Sequence, residues 1–185
     1  LVSSAHVDAT TQTAKTEACT VSGVKLTDGV LSFDRLDACL PMPIDPRAEA
    51  ALKLAPVLTE LSRLELKVTG LSAANYEVHI DGKSVGKASS KELSEGWNLS
   101  NAGGPITQQA REVLAAVFAK NDVFFNRWRN VQLYNLPGWA RSADIESQRQ
   151  AEVARLDAQI AEQESKLELL RKPVSHRFEL KPVQP

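Results

Sequence analysis

The sequence predicts an α+β fold, in which a small antiparallel sheet packs on one long helix and a C-terminal polar helix follows. Short alternating strands joined by turns dominate the first hundred residues, and an amphipathic helical pattern runs from Gly104 to Trp139. Residues 145–172 then contain no Gly, Pro or aromatic residue. We therefore divide the chain into an α+β domain of residues 1–139, a polar helix or helical hairpin arm of residues 140–172, and a C-terminal tail of residues 173–185.

Strands are predicted where apolar and polar residues alternate, most clearly at Leu64, Leu66 and Val68. Asp28-Gly29 and Asp81-Gly82 are typical two-residue turns and predict two hairpins. Because the strands are short and joined by turns, we expect an antiparallel sheet. The predicted strands are residues 1–9 (an edge strand), 18–26, 30–36, 63–70, 76–80 and 84–88, with a loop at 10–16 and a candidate last strand after Pro173.

Two shorter helices are predicted before the long one. Asp45 and Pro46 form a cap followed by a first-turn proline, and Pro56 should kink or split the helix that follows. Ser89 and Glu92 have the spacing of a capping box, which predicts a short helix that ends before Gly96.

The long helix begins at Gly104 and Pro105, and Pro137-Gly138 end it. Apolar residues recur along it at steps of three and four, apart from a gap at Asn121, so a broad face is expected to bury against the sheet. That face consists of Ile106, Ala110, Val113, Leu114, Val117, Phe118, Phe124, Phe125, Trp128 and Val131.

The polar helix that follows has only a narrow apolar seam with heptad spacing, which Gln163 interrupts. About three heptads are too few to predict a coiled coil by themselves. We expect the seam to pack antiparallel on the preceding helix or on a partner. The seam residues are Val153, Leu156, Ile160, Leu167 and Leu170.

Composition limits the classes of partner. The chain has 185 residues, is 43% hydrophobic and 24% charged, and carries a net charge of −1. Near neutrality gives no global field that would attract nucleic acid or an anionic membrane. No apolar run approaches the roughly 20 residues that span a bilayer. We therefore predict neither a nucleic-acid partner nor a membrane segment.

The two cysteines, Cys19 and Cys39, flank the first predicted hairpin. A turn at Asp28-Gly29 places Cys19 opposite residue 38, and this one-residue offset points the two side chains to opposite faces. A bulge would bring them together and allow a disulfide in an oxidising compartment. Otherwise they are two small buried residues. Neither has the neighbouring ligands of a zinc site.

No complete catalytic motif occurs in the sequence. His6, His79 and His176 lack a nearby residue at a spacing that signals a metal site or a triad. There is no Gly-x-Ser-x-Gly elbow, phosphate-binding loop or dinucleotide fingerprint. The sequence accordingly predicts no cofactor, no metal site and no catalytic residue.

Four residues are candidates for binding. Arg127 and Trp128 could stack on a sugar or base, and Trp97 and Trp139 flank the long helix and could line a groove. A structural role in packing is the alternative for each of them, and the core-like position of Trp128 favours it.

Several short motifs resemble those that follow the catalytic domain in GDSL-like (SGNH) hydrolases of Planctomycetes and related bacteria. They are the Ile-Asp-Gly turn at residues 80–82, Gly-Trp-Asn-Leu at 96–99, Gln-Ala at 109–110, Asn-Asp at 121–122 and Arg-Trp-Arg at 127–129. The opening LVSSAHVDA and the segment LPMPIDP at residues 40–46 are similar to the join after the last catalytic block. The resemblance covers most of residues 1–137.

The catalytic blocks of that family are missing from this sequence. It contains no Gly-Asp-Ser, and no His has an Asp three residues earlier. The resemblance therefore implies a non-catalytic C-terminal domain that packs against or completes an SGNH catalytic domain, in the same or a separate chain, in a secreted or periplasmic bacterial protein. The alternatives are a small carbohydrate- or protein-binding module, and part of an active esterase whose triad lies in a separate segment.

Overall fold

The computed structural model describes residues 1–183 and confirms the α+β class. Its strands are β1 (Ser3–Asp8), β2 (Thr13–Glu17), β3 (Cys19–Thr27), β4 (Val30–Asp37), β5 (Leu64–Thr69), β6 (Asn75–Ile80), β7 (Lys83–Ser89), β8 (Trp97–Asn98) and β9 (His176–Pro182). Its α-helices are α1 (Val57–Glu60), α2 (Ser90–Glu95), α3 (Gly104–Phe125) and α4 (Ala143–Leu170). Short 3-10 segments span Pro46–Lys53 and Gly138–Ala140, and a π-helical segment, Asn126–Gln132, extends α3.

The chain forms two compact units. One comprises Leu1–Arg111 and Arg171–Pro185, and we call it the sandwich unit. The other comprises Glu112–Leu170, and we call it the hairpin unit. The predicted domain boundary after residue 139 falls inside the hairpin unit.

The sandwich unit contains two sheets where the sequence predicted one. Their strand orders are β2-β1-β5-β8 and β3-β4-β9-β6-β7. Fully buried residues from both sheets form a single core, among them Val7, Leu66, Phe33 and Phe178. The rings of Phe33 and Phe178 stack with their centroids 5.1 Å apart. The two sheets therefore bury their apolar faces against each other, as in a β-sandwich.

Two strand predictions need correction, and the candidate last strand is confirmed. β1 is an interior strand, because it pairs with β2 on one side and runs parallel to β5 on the other. The predicted loop at 10–16 contains most of β2. The candidate last strand after Pro173 is confirmed as β9, which lies in the middle of its sheet between β4 and β6. The pairings of β1 with β5 and of β9 with β4 and β6 join strands that are distant in the chain, and turn residues specify pairing only between neighbours.

Both predicted hairpins are confirmed. Asp28 and Gly29 form the turn between β3 and β4, with φ of +50° and +80°, as a type I′ turn requires. A bulge between Ser22 and Lys25 shifts the register, so that Cys19 lies opposite Asp37.

The possible disulfide is absent from the structure, because both cysteines are free thiols. The bulge does shift the register, but it places Cys39 two residues beyond the partner of Cys19. Cys19 is partly buried and donates its Sγ–H to the carbonyl of Ser4 across 3.2 Å, whereas Cys39 is exposed. Burial raises the pKa of the Cys19 thiol.

The broad apolar face of α3 is not buried along its length as predicted. Its buried residues are Ile106, Thr107 and Ala110, in the first two turns. Farther along, Phe124, Phe125 and Trp128 are 52%, 54% and 43% exposed. The amphipathic pattern correctly located the helix but did not show which part of its face is covered.

The hairpin unit confirms that the polar helix packs antiparallel on the preceding helix. Lys120 pairs with Glu164, and Arg127 pairs with Asp157. Later residues of the first helix therefore contact earlier residues of α4, which is an antiparallel arrangement. Leu156, the second of the five predicted seam residues, is 2% exposed. The ion pairs and the apolar seam together hold α4 against α3 and its π-helical extension.

Candidate functional site

A serine, a glutamate and a histidine meet on the polar face of the β6–β7 hairpin. Ser84 Oγ donates to Glu77 Oε1 across 2.7 Å, and His79 Nε2 lies 3.4 Å from Glu77 Oε2. The hydrogen bond from Ser84, with a smaller contribution from His79, lowers the pKa of Glu77. The carboxylate therefore stands between the hydroxyl and the imidazole.

This order does not suit nucleophilic catalysis. In a serine triad the imidazole contacts the hydroxyl and takes its proton, while the carboxylate orients the imidazole. Here the hydroxyl of Ser84 donates to a carboxylate whose lowered pKa makes it a weaker base. The cluster can hold the hairpin together but lacks an activated nucleophile.

A second histidine–carboxylate pair joins β9 to the β6–β7 turn. His176 Nδ1 lies 2.7 Å from Asp81 Oδ2, and the backbone N–H of Arg177 donates to Asp81 Oδ1 across 2.8 Å. His176 is 6% exposed. Within residues 1–183, no serine or cysteine is hydrogen-bonded to this imidazole, so the pair is a structural bridge between strands.

The Asp81 bridge makes stability depend on pH in the acid range. Burial acts to raise the pKa of Asp81, but hydrogen bonds from His176 and Arg177 outweigh it and lower the pKa below the ordinary 3.8. The stabilisation is therefore present above about pH 3.8 and is lost as pH falls through the lowered value. We expect Asp81→Asn, which tolerates the φ of +50°, to be less stable than the native chain at pH 7, with a difference in unfolding free energy that shrinks as pH falls below 3.8, by urea unfolding. An unchanged difference across this range would contradict the bridge.

The four predicted binding residues lie in both units. Trp97, in the sandwich unit, is partly buried and packs over Gly86, where an added Cβ would lie 3.2 Å from Trp97 Cη2. Arg127 is bound by both carboxylate oxygens of Asp157, at 2.5 and 3.1 Å, and by Gln132 Oε1 at 2.8 Å. Trp97 therefore packs within the sandwich unit, and Arg127 links the π-helical segment to α4 through an ion pair.

The other two tryptophans are open to solvent. Trp128 contacts Phe125 edge to face, with ring centroids 6.3 Å apart. We call Phe124, Phe125 and Trp128 the aromatic cluster of the hairpin unit. Trp139 is 88% exposed. Exposed aromatic groups of this size are typical of surfaces that contact another molecule.

A cavity that the sequence analysis missed lies where α4 begins, within the hairpin unit. Its volume is about 370 Å³, within the range of small-molecule sites. Tyr134, Arg141 and Arg149 contribute to its walls. Pro137-Gly138 was interpreted only as a helix end, and nothing in the sequence brought the arginines at 141 and 149 together.

Neither a metal centre nor a membrane helix is found in the described residues. Residues 1–183 contain no group of three or more His, Cys, Asp or Glu side chains arranged to hold a metal ion. Among the helices they form, none is both long enough and apolar enough to cross a bilayer.

Comparison with known proteins gives information on the fold alone. No protein-family model and no curated protein matches the chain. It is similar to a solved structure described as BT4096, a gut microbial diltiazem-metabolizing enzyme, with a TM-score of 0.73 and 23% identity. The match covers 98% of this chain and 50% of that enzyme, so the chain spans half the length of its structural neighbour.

Proposed function

We propose that this chain is a non-catalytic domain of a GDSL-like (SGNH) ester hydrolase, and that it packs against or completes the catalytic domain of that enzyme. The observation that carries the accessory role is the match of nearly the whole chain to half of an enzyme, and the SGNH parentage rests on the sequence motifs alone. If this chain corresponds to a non-catalytic half of such an enzyme, the reaction would be carried out by the half that it does not match. Part of the proposal is that the parent protein is secreted or periplasmic, as the family resemblance implies.

The chemistry of the chain supports a non-catalytic role. Its Ser84, Glu77 and His79 are connected in an order that leaves the hydroxyl without an imidazole base. Its His176–Asp81 pair has the geometry of a base and its orienting acid, but no nucleophile in the described residues contacts it. Each cluster is explained by strand–strand contacts.

The aromatic cluster supports a docking role. Phe124, Phe125 and Trp128 are each between 43% and 54% exposed, although they lie next to one another on one helix. The proposed occupant is the catalytic domain, since the matched enzyme extends by as much again beyond the part that this chain covers. The heptad seam, which the sequence also offered for docking, is occupied by contacts inside the hairpin unit.

A fluorophosphonate probe tests the proposal, because it labels serines that are activated as nucleophiles. We expect no serine of the folded chain to be labelled beyond the level of a heat-denatured control, by mass spectrometry of the intact protein. Ser84→Ala is the matched variant, and we expect it to give the same result as the native chain. Labelling of the native chain that disappears in Ser84→Ala would refute a non-catalytic role.

A further inference from the structure

The cavity at the start of α4 is built from both sides of the connection between the two helices of the hairpin unit. Before the connection it is lined by the segment that follows the π-helix, and after it by the first two turns of α4. Most of its lining side chains carry a polar group. The lining residues are Tyr134, Asn135, Leu136, Arg141, Ser142, Ala143, Glu146 and Arg149.

Arg141 presents unused hydrogen-bond donors at this cavity. Its Nε donates to the carbonyl of Leu136 across 3.1 Å, and its Nη2 donates to Asn135 Oδ1 across 2.9 Å. A guanidinium has five N–H donors, so three remain. In the described part of the chain Arg141 has neutral oxygen partners and forms no ion pair, which leaves its positive charge uncompensated.

Arg149 reaches the same cavity from α4. Its Nη2 donates to the carbonyl of Tyr134 across 3.1 Å, while its Nη1 lies 3.7 Å from Glu146 Oε2. The side chain is 25% exposed, so its charge is partly withdrawn from water. Glu146 offsets one of the two positive charges, and the lining keeps a net charge of +1 from Arg141, Arg149 and Glu146.

The remaining lining groups suit a polar ring more than a bare anion. Asn135, Ser142 and Glu146 supply amide, hydroxyl and carboxylate groups that can bond to ligand hydroxyls. Tyr134, 58% exposed, offers an aromatic ring for contact with the apolar side of a sugar. A guanidinium with free donors binds a carboxylate through two parallel hydrogen bonds.

We propose that this cavity binds a sugar acid, with the carboxylate held by Arg141 and Arg149 and the ring hydroxyls held by the neighbouring polar groups. The site is independent of the proposed accessory role, because it needs neither a catalytic domain nor the aromatic cluster. The proposal assigns a ligand to the connection between the two helices of the hairpin unit. In this segment the sequence had indicated only Trp139 as a candidate binding residue.

Titration of the ¹⁵N-labelled full chain with glucuronate tests the proposal by NMR. We expect amide shifts confined to residues 134–149, with weaker binding as the salt concentration rises. Glucose, which lacks the carboxylate, and acetate, which lacks the ring, should each shift these amides far less. No shift with glucuronate, or equal shifts with acetate, would overturn the proposal even if no variant folds.

Variants separate the arginines from general charge effects. Arg149→Gln should weaken glucuronate binding about tenfold or more, since a charge-assisted hydrogen bond contributes roughly 1.5–3 kcal/mol. Arg155→Gln is the matched control, because Arg155 lies on the same helix but pairs with Glu152 and does not line the cavity. Equal affinity in Arg149→Gln and the native chain would reject the assignment.

Discussion

Deletion of residues 173–185 is expected to prevent the sandwich unit from folding. The deletion removes β9, which pairs with β4 on one side and β6 on the other. It removes Phe178 and Leu180, both fully buried in the core. Truncation of a buried Phe lowers the free energy of unfolding by roughly 3–5 kcal/mol, and truncation of a buried Leu lowers it by roughly 2–5 kcal/mol. The backbone hydrogen bonds of β9 to β4 and β6 are lost as well. The sum approaches or exceeds the 5–15 kcal/mol that stabilises a typical domain.

Circular dichroism and one-dimensional NMR of the shortened chain would measure this effect as loss of a cooperative transition and of dispersed methyl signals. Phe178→Ala is the graded version, expected to lower the free energy of unfolding by about 3–5 kcal/mol. Lys181→Ala, on the same strand, is the matched control, because its partner Glu179 is also near the surface and such pairs contribute about 0–1 kcal/mol. A shortened chain that unfolds cooperatively like the native one would show that β9 is dispensable.

Asp37→Ala is expected to lower the free energy of unfolding by about 3–5 kcal/mol, because it leaves a buried guanidinium without its counter-charge. Arg35 is 1% exposed and donates from Nε to Asp37 Oδ1 across 2.9 Å. The same guanidinium donates to Ser3 Oγ and to the carbonyl of Glu65, which belong to the opposite sheet. The network therefore links the two sheets through side chains that are buried from water.

Urea unfolding of two further variants tests this explanation. The double variant Arg35→Met/Asp37→Leu removes both charges and should lose less stability than Asp37→Ala alone. Arg155→Ala breaks an exposed pair with Glu152 on α4 and should change stability by about 0–1 kcal/mol. If Asp37→Ala cost no more than Arg155→Ala, the buried network would not hold the sheets together.

Local patterns in the sequence predicted local structure well. The hairpin turns at Asp28-Gly29 and Asp81-Gly82 were correctly identified, because φ above zero at those positions is a local requirement. Ser89 and Glu92 form the capping box that their spacing predicted. Leu156 of the predicted seam is buried as expected, since the heptad spacing already specifies one helix face.

The pairing of strands that are distant in the chain could not be predicted from the sequence. The parallel contact of β1 with β5 joins residues about sixty positions apart, and the residues of neither strand indicate which strand it pairs with. The same reason hid the position of β9, whose residues have the alternation of any strand. Two sheets rather than one follow from these non-local pairings, which are set by how the whole core packs.

The surroundings of the candidate site residues could not be predicted, because residue type does not reveal which side chains have partners. Arg127 and Trp97 were chosen for their binding chemistry, yet one is bound to Asp157 and the other packs over Gly86. The cavity at Arg141 and Arg149 forms only when the chain folds back on itself, so neither arginine stood out alone. The trio of Ser84, Glu77 and His79 likewise depends on the register of β6 and β7.

Hydrolysis of p-nitrophenyl acetate by the purified chain tests most directly whether it carries a reaction of its own. A non-catalytic domain gives a rate no higher than that of the heat-denatured chain, and Ser84→Ala leaves that rate unchanged. Saturable turnover by the folded chain that falls at least about a hundredfold on replacement of one serine or histidine would contradict this and place a catalytic site within these 185 residues.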